Sequence, residues 1–124
     1  MLSSLSVERR PGLFAYVSVA VSVDRDASLV ARAAAMVEES EGVTLVLPVD
    51  VARAAGLTPA FEAAWLTLAV HSSLDAVGLT AAVSGALAAA GIPCNVIAGT
   101  YHDHLLVPAE VADQAQAVLS ELSA

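Results

Sequence analysis

The order of hydrophobic periods between Phe61 and Leu122 limits what this chain can become more than any other feature. From Phe61 to Ser72 the residues alternate, with Leu66, Leu68 and Val70 pointing one way and Trp65, Thr67 and Ala69 the other, the period of a strand. Asp75 to Ala90 then changes period. Ala76, Leu79, Val83, Leu87 and Ala90 recur at spacings of three and four, one buried stripe of a helix. Ser72-Ser73-Leu74-Asp75 in front of it fits a capping box, and Gly91 stops it. Ile92 to Gly99 reads as a strand, Thr100 to Asp103 as a hairpin turn and His104 to Val107 as the returning strand. After Pro108 a last helix carries Val111, Ala115, Val118, Leu119 and Leu122 on its apolar face.

That order, β-α-β-β-α, is one strand short of the ferredoxin-like β-α-β-β-α-β unit. A sheet left that way has an unpaired edge. The missing strand is therefore expected from the first half, either Leu13 to Val23 or Val43 to Leu47, so that the halves complete each other's sheets within a chain or across a dimer. In that first half, residues 1 to 12 read as a lead-in closed by the Pro11-Gly12 turn. Val17, Val19, Val21 and Val23 alternate with small residues in the strand Leu13 to Val23, which ends at Asp24-Arg25-Asp26. A helix is expected from Ser28 to Glu39, with Leu29, Ala33, Met36 and Val37 on one face and Gly42 at its end. Val43 to Leu47 is a short buried strand, and Pro48 opens a brief helix that Gly56 terminates. Leu57-Thr58-Pro59-Ala60 is the one plausible linker. The expectation is an α+β chain of two halves, 1–58 and 59–124, with antiparallel sheets and helices packed on one face.

Composition narrows the function. Apolar residues make up 57% of the 124 positions, but 27 are alanine and none is lysine. Mean hydropathy is +0.73, yet the longest uncharged stretch, Ala76 to Tyr101, is broken by Gly78, Gly85, Gly91 and Pro93 and holds Asn95. A helix followed by a strand explains it better than a membrane span. The net charge is −8. Arg9, Arg10, Arg25, Arg32 and Arg53 are the only cationic residues besides histidine, and all precede Ala54. Binding to phosphate backbones or anionic lipid needs clustered basic residues, so neither nucleic acid nor membrane is expected as a partner. The single cysteine, Cys94, excludes an internal disulfide. A cytoplasmic location is expected.

Two stretches are distinctive. One runs from His71 through Ser72-Ser73-Leu74-Asp75-Ala76-Val77-Gly78-Leu79-Thr80 to Val83. The other runs from Gly91-Ile92-Pro93-Cys94-Asn95-Val96-Ile97-Ala98-Gly99-Thr100-Tyr101-His102-Asp103-His104 to Val107-Pro108. With Glu41-Gly42-Val43-Thr44-Leu45 they resemble a family of short bacterial ACT-domain proteins of mostly unassigned role, over about residues 10 to 122. The resemblance implies a tandem ACT-like fold, similar to the eukaryotic arginine sensors built from ACT repeats. It also implies a non-catalytic protein that binds an amino acid or similar effector at an interface between domains or subunits. The family's usual site is the loop between first strand and first helix, facing a neighbouring module's strand.

The chemistry of the residues agrees with that implication. Ser72 to Gly78 lies where a strand hands over to a helix N-terminus, whose unpaired N–H groups and dipole suit a carboxylate. Candidate ligand-binding residues are Ser72, Ser73, Leu74, Asp75, Val77 and Gly78, with Asn95, Val96 and Ile97 on the facing strand. Asp75 has the charge for a ligand ammonium or guanidinium group, Leu74 and Val77 offer apolar contact, and Asn95 both donates and accepts. Ser72 and Asp75 also serve simply as caps, and the two roles are compatible. His102 and His104 share a side at i and i+2, with His71 as a conceivable third metal ligand, but no recognised zinc spacing exists. They read better as turn residues. Cys94 reads as a small buried hydrophobe, and Trp65 as a core or interface anchor. No cofactor, metal or catalytic residue is expected; a homodimer is. The alternative is a dimerisation or partner-binding module without a ligand.

Overall fold

The computed structural model describes residues 5–20, 23–70 and 76–123, and side-chain environments for all of these except 23–26, 70, 76, 77 and 123. The elements follow as β1 (Leu5–Arg9), β2 (Phe14–Val19), α1 (Val23–Arg32), β3 (Ala35–Glu39), β4 (Gly42–Pro48), α2 (Val49–Ala54), β5 (Phe61–Val70), α3 (Ala76–Ala89), β6 (Asn95–Ala98), β7 (Asp103–Pro108) and α4 (Ala112–Ser123). A 3-10 turn, Ala109–Val111, leads into α4. They form two units, one of Gly12–Ala63 and one that joins the residues up to Pro11 to those from Ala64 onward.

In the first unit the strands run in the order β3-β4-β2, and the opening residues of β5 pair beyond β2. All three pairings are antiparallel, with Met36 opposite Leu45, Val17 also opposite Leu45, and Tyr16 opposite Phe61. Alternation puts Ala15, Val17 and Val19 of β2 on the same face as Leu45 and Leu47 of β4, where they bury Val49, Val51 and Ala52 of α2. Leu29 and Ala33 pack against this core from the α1 side. The β3–β4 hairpin turns tightly from Glu39 to its partner Gly42. Gly42 has φ +152°, and a Cβ there would lie 2.9 Å from the Val19 carbonyl oxygen. Only glycine fits that approach without displacing backbone.

Three expectations fail in this unit. The helix expected over Ser28–Glu39 ends at Arg32, and Ala35–Glu39 forms β3. Met36 and Val37 are therefore not buried helix positions; they stand 46% and 54% exposed on an outer strand. Alanine and glutamate favour helix locally, but five consecutive pairings with β4 outweigh a propensity worth only tenths of a kcal/mol per residue. For the same reason Gly42 opens a strand rather than closing a helix. Asp24-Arg25-Asp26 lies in the first turns of α1, not in a turn after β2.

The second unit has the strand order β1-β5-β7-β6. β1 runs antiparallel to β5, with Leu5 opposite Val70, Glu8 opposite Thr67 and Arg9 opposite Leu66. β6 and β7 form a hairpin in which Asn95 faces Leu106 and Ile97 faces His104. Leu66 and Leu68 of β5, Leu105 and Val107 of β7, Leu79, Val83 and Leu87 of α3, and Ala115 and Leu119 of α4 are all buried. Each fully buried leucine or valine contributes about 1.5–3 kcal/mol relative to exposure. Of the helical stripes expected there, Leu79, Val83 and Leu87 of α3 and Ala115 and Leu119 of α4 are buried, whereas Ala90, Val111, Val118 and Leu122 are half-buried.

This sheet's fourth strand comes from the first half of the chain, as expected, but from a segment read as a lead-in. β1 supplies it, and its Leu5 is 5% exposed. The Leu13–Val23 segment also reaches β5, through Phe14–Tyr16, but there it meets Phe61–Ala63 in the first unit. Among the described residues each unit accordingly has four antiparallel strands and two helices, with β5 divided between them at Ala63. Among the described residues, no helix is long and apolar enough to cross a membrane.

Candidate functional site

Alternation along β5 puts Trp65 and Thr67 on the face opposite Leu66 and Leu68, and β7 brings His104 beside them. The indole Nε1 lies 3.2 Å from both the Thr67 Oγ1 and the His104 Nδ1. Oγ1 and Nδ1 are 3.0 Å apart. An indole N–H can only donate, so Trp65 donates to the Thr67 hydroxyl oxygen or to His104 Nδ1, and the direction of the Thr67–His104 bond follows the imidazole tautomer. Burial holds the His104 pKa below its ordinary 6.5, the nearby charges of His102 and Arg10 add to this, and Asp103 opposes it. The Trp65 and His104 rings are tilted with centroids 5.3 Å apart.

β1 supplies the other wall. Glu8, opposite Thr67, shares its face by strand alternation. Just beyond the strand, the Arg10 N–H donates to the Trp65 carbonyl at 2.9 Å, and its guanidinium lies over the Trp65 ring, 5.1 Å from the centroid. Arg9 points to the helical side, where it bonds Asp113 Oδ1 at 2.7 Å and Gln116 Oε1 at 3.4 Å. Glu8, Arg9, Arg10, Pro11, Trp65, Thr67 and His104 line an open cavity of about 370 Å³, within the range of small-molecule sites.

The residues expected to bind a ligand are distributed as follows. Ser72, Ser73, Leu74 and Asp75 lie outside the described residues, as does His71. Val77 belongs to α3, with its side chain likewise outside the description. Gly78 is exposed in the first turns of α3, with open space where a Cβ would stand. On β6, Asn95 is exposed, Val96 is 40% exposed and Ile97 is half-buried opposite His104. Asn95 and Ile97 share a face with His104 and Leu106, whereas Val96 faces the other way with Leu105. His102 and His104 have ring centroids 6.4 Å apart. Among the described residues no group of three or more His, Cys, Asp or Glu gathers. Cys94 is half-buried. The cluster around Trp65 was missed as a site. Its signal was the polar Thr67 two residues from Trp65, and the element that completes it, β1, was not read as a strand.

Two four-stranded antiparallel sheets, each backed by two helices and built from interleaved halves, define a tandem module of the ferredoxin-like class. ACT-domain profiles match residues 1–64 and residues 60–121. The chain belongs to the ACT-domain family. A Vibrio cholerae protein of unknown function, described as a possible transport protein, is 42% identical with a TM-score of 0.89, covering 99% of this chain and 93% of that one. An Agrobacterium tumefaciens protein is 16% identical (TM-score 0.67), with 96% and 89% covered. The regulatory subunit of aspartate kinase from Thermus flavus is 11% identical (TM-score 0.61), with 97% of each chain covered. The last two likenesses are of fold. No curated protein matches the chain.

Proposed function

We propose that the chain is a non-catalytic regulatory protein of the ACT type that binds a small effector, an amino acid, and acts as a cytoplasmic homodimer. The observation that carries this reading is the match of ACT domains to both halves of the chain. The fold likeness to an aspartate kinase regulatory subunit supports it. In this reading the effector's carboxylate sits on the N–H groups at the start of α3, near Ser72, Ser73 and Gly78. Its ammonium pairs with Asp75, and Leu74, Val77, Asn95, Val96 and Ile97 complete the contacts. The first turn of a helix has no intrahelical partners for its N–H groups and carries the positive end of the dipole, and α3 is fourteen residues long. The exposed, side-chain-free Gly78 allows a ligand to approach the backbone.

Calorimetric titration with the twenty amino acids tests it. One of them should bind saturably, and Asp75→Asn should weaken it by about tenfold, the usual loss for one charge-assisted hydrogen bond. Absence of heat for all of them sinks the effector reading. The exposed Met36 and Val37 on the outer strand β3 favour a second reading, an assembly module without a ligand. A tight dimer in sedimentation, indifferent to every amino acid, is the result that reading requires.

A further inference from the structure

The outermost strand of the first unit, β3, pairs with β4 along one edge, and no described strand lies along the other. Its pairing with β4 runs without a bulge, and it holds neither proline nor lysine, the usual guards of an open edge. Its two large apolar side chains, Met36 and Val37, are both exposed. The charges around them have a direction. Arg32 closes α1 shortly before the strand, and Glu38, Glu39 and Glu41 follow Val37. Glu39 accepts from the Thr44 hydroxyl and Glu41 from that of Ser40. Arg32 and Glu38 are exposed, and neither has an ion-pair partner among the described residues. A segment with a basic start, an apolar middle and an acidic end complements a copy of itself laid antiparallel.

The register follows from the same charges. Outward-facing backbone groups alternate along a strand, so a strand pairs with its own copy only about a residue on the two-fold axis. An axis at Val37 makes the two Glu38 carboxylates diagonal neighbours, which repel. An axis at Met36 moves them further apart, sets Ala35 opposite Val37, and brings Arg32 of the second copy diagonal to Glu38. Diagonal positions about 7–8 Å apart are within reach of long side chains. We propose that β3 is the seam of the homodimer, pairing antiparallel with β3 of a second copy about an axis at Met36. An Arg32–Glu38 ion pair flanks the axis on either side. This rests on the homodimer reading above and names its interface; it does not depend on the effector.

Sedimentation equilibrium of the full chain measures the dimer constant. Met36→Lys sets two ammonium groups opposite each other on the axis and should weaken the dimer at least about tenfold. Arg32→Glu and Glu38→Arg should each weaken it about three- to tenfold, because every contact occurs twice, and the two reversals combined should restore it. In a Cys94→Ser background, Met36→Cys should form an inter-chain disulfide under mild oxidation, since facing Cα atoms stand about 4.5–5.5 Å apart. Val37→Cys should not, its copies being separated by more than about 7 Å. The substituted strand positions are exposed, so the circular dichroism of each variant should match that of the unsubstituted protein. A dimer constant that neither Met36→Lys nor the single reversals move overturns the proposal while leaving the homodimer standing. So does a disulfide through Val37→Cys and not Met36→Cys, or a double reversal that recovers nothing. A chain that is monomeric at every concentration overturns the homodimer and the seam together.

Discussion

Gly42 and Gly85 form a matched pair on which the packing argument can be tested, because the same substitution should act in opposite directions. At Gly42 the backbone has φ +152°, and an added Cβ meets the Val19 carbonyl oxygen at 2.9 Å. The positive φ costs an L-residue about 1–3 kcal/mol, and moving a strand carbonyl to relieve the contact costs about 1 kcal/mol or more. Gly42→Ala should therefore lose about 3 kcal/mol, a large share of the roughly 5–15 kcal/mol that holds a domain folded. For a chain of this size that corresponds to a fall in Tm of about 10 °C. Gly85 sits inside α3, exposed, with nothing within 4 Å of its would-be Cβ. Gly85→Ala gains the helix preference of alanine without a clash and should stabilise by about 0.5–1 kcal/mol. Calorimetric melts of the three proteins read both effects in one experiment. A Gly42→Ala variant that melts with the unsubstituted protein would refute the close approach of β2 to the hairpin.

Three further outcomes are expected. Leu87→Ala removes a side chain with no exposed surface and should cost about 2–5 kcal/mol in urea unfolding, depending on how far the cavity collapses. Arg9→Ala removes an ion pair whose Asp113 partner is 98% exposed, so denaturation should shift by less than about 1 kcal/mol. His104 has a lowered folded pKa, so as pH falls below about 6.5 the unfolded chain takes up a proton before the folded one does. The stability tied to His104 is complete above that pH and is lost as pH drops through the folded value; urea titrations at several pH values should show a slope there that His104→Asn flattens.

The second half of the fold was legible because its periods are clean. Leu79, Val83 and Leu87 can only be one helical stripe, and Leu66 and Leu68 against Trp65 and Thr67 can only be a strand. Two segments of the first half hid themselves. Ala33-Ala34-Ala35 carries no period, and Met36 and Val37, both exposed on β3, supply no alternation between core and solvent. Their strand conformation is imposed by β4, not by local preference. β1 has five residues, too few for a period to stand out, and its partner lies in the other half of the chain. Non-local pairing also hid the Trp65 cluster. Nothing local connects Glu8 or Arg10 with Thr67 and His104; the sheet order does.

The pairing of Leu5 with Val70 has a consequence in time. β1 leaves the ribosome well before β5, and the strand it pairs with does not exist until β5 has been synthesised. The intervening unit, Gly12–Ala63, contains nearly all its own partners and can fold while β1 waits. Closing so long a loop is slow relative to forming hairpins such as β3–β4 or β6–β7. Docking of β1 should then be a late event in folding, and a chaperone or a second nascent chain has that interval in which to compete for β5.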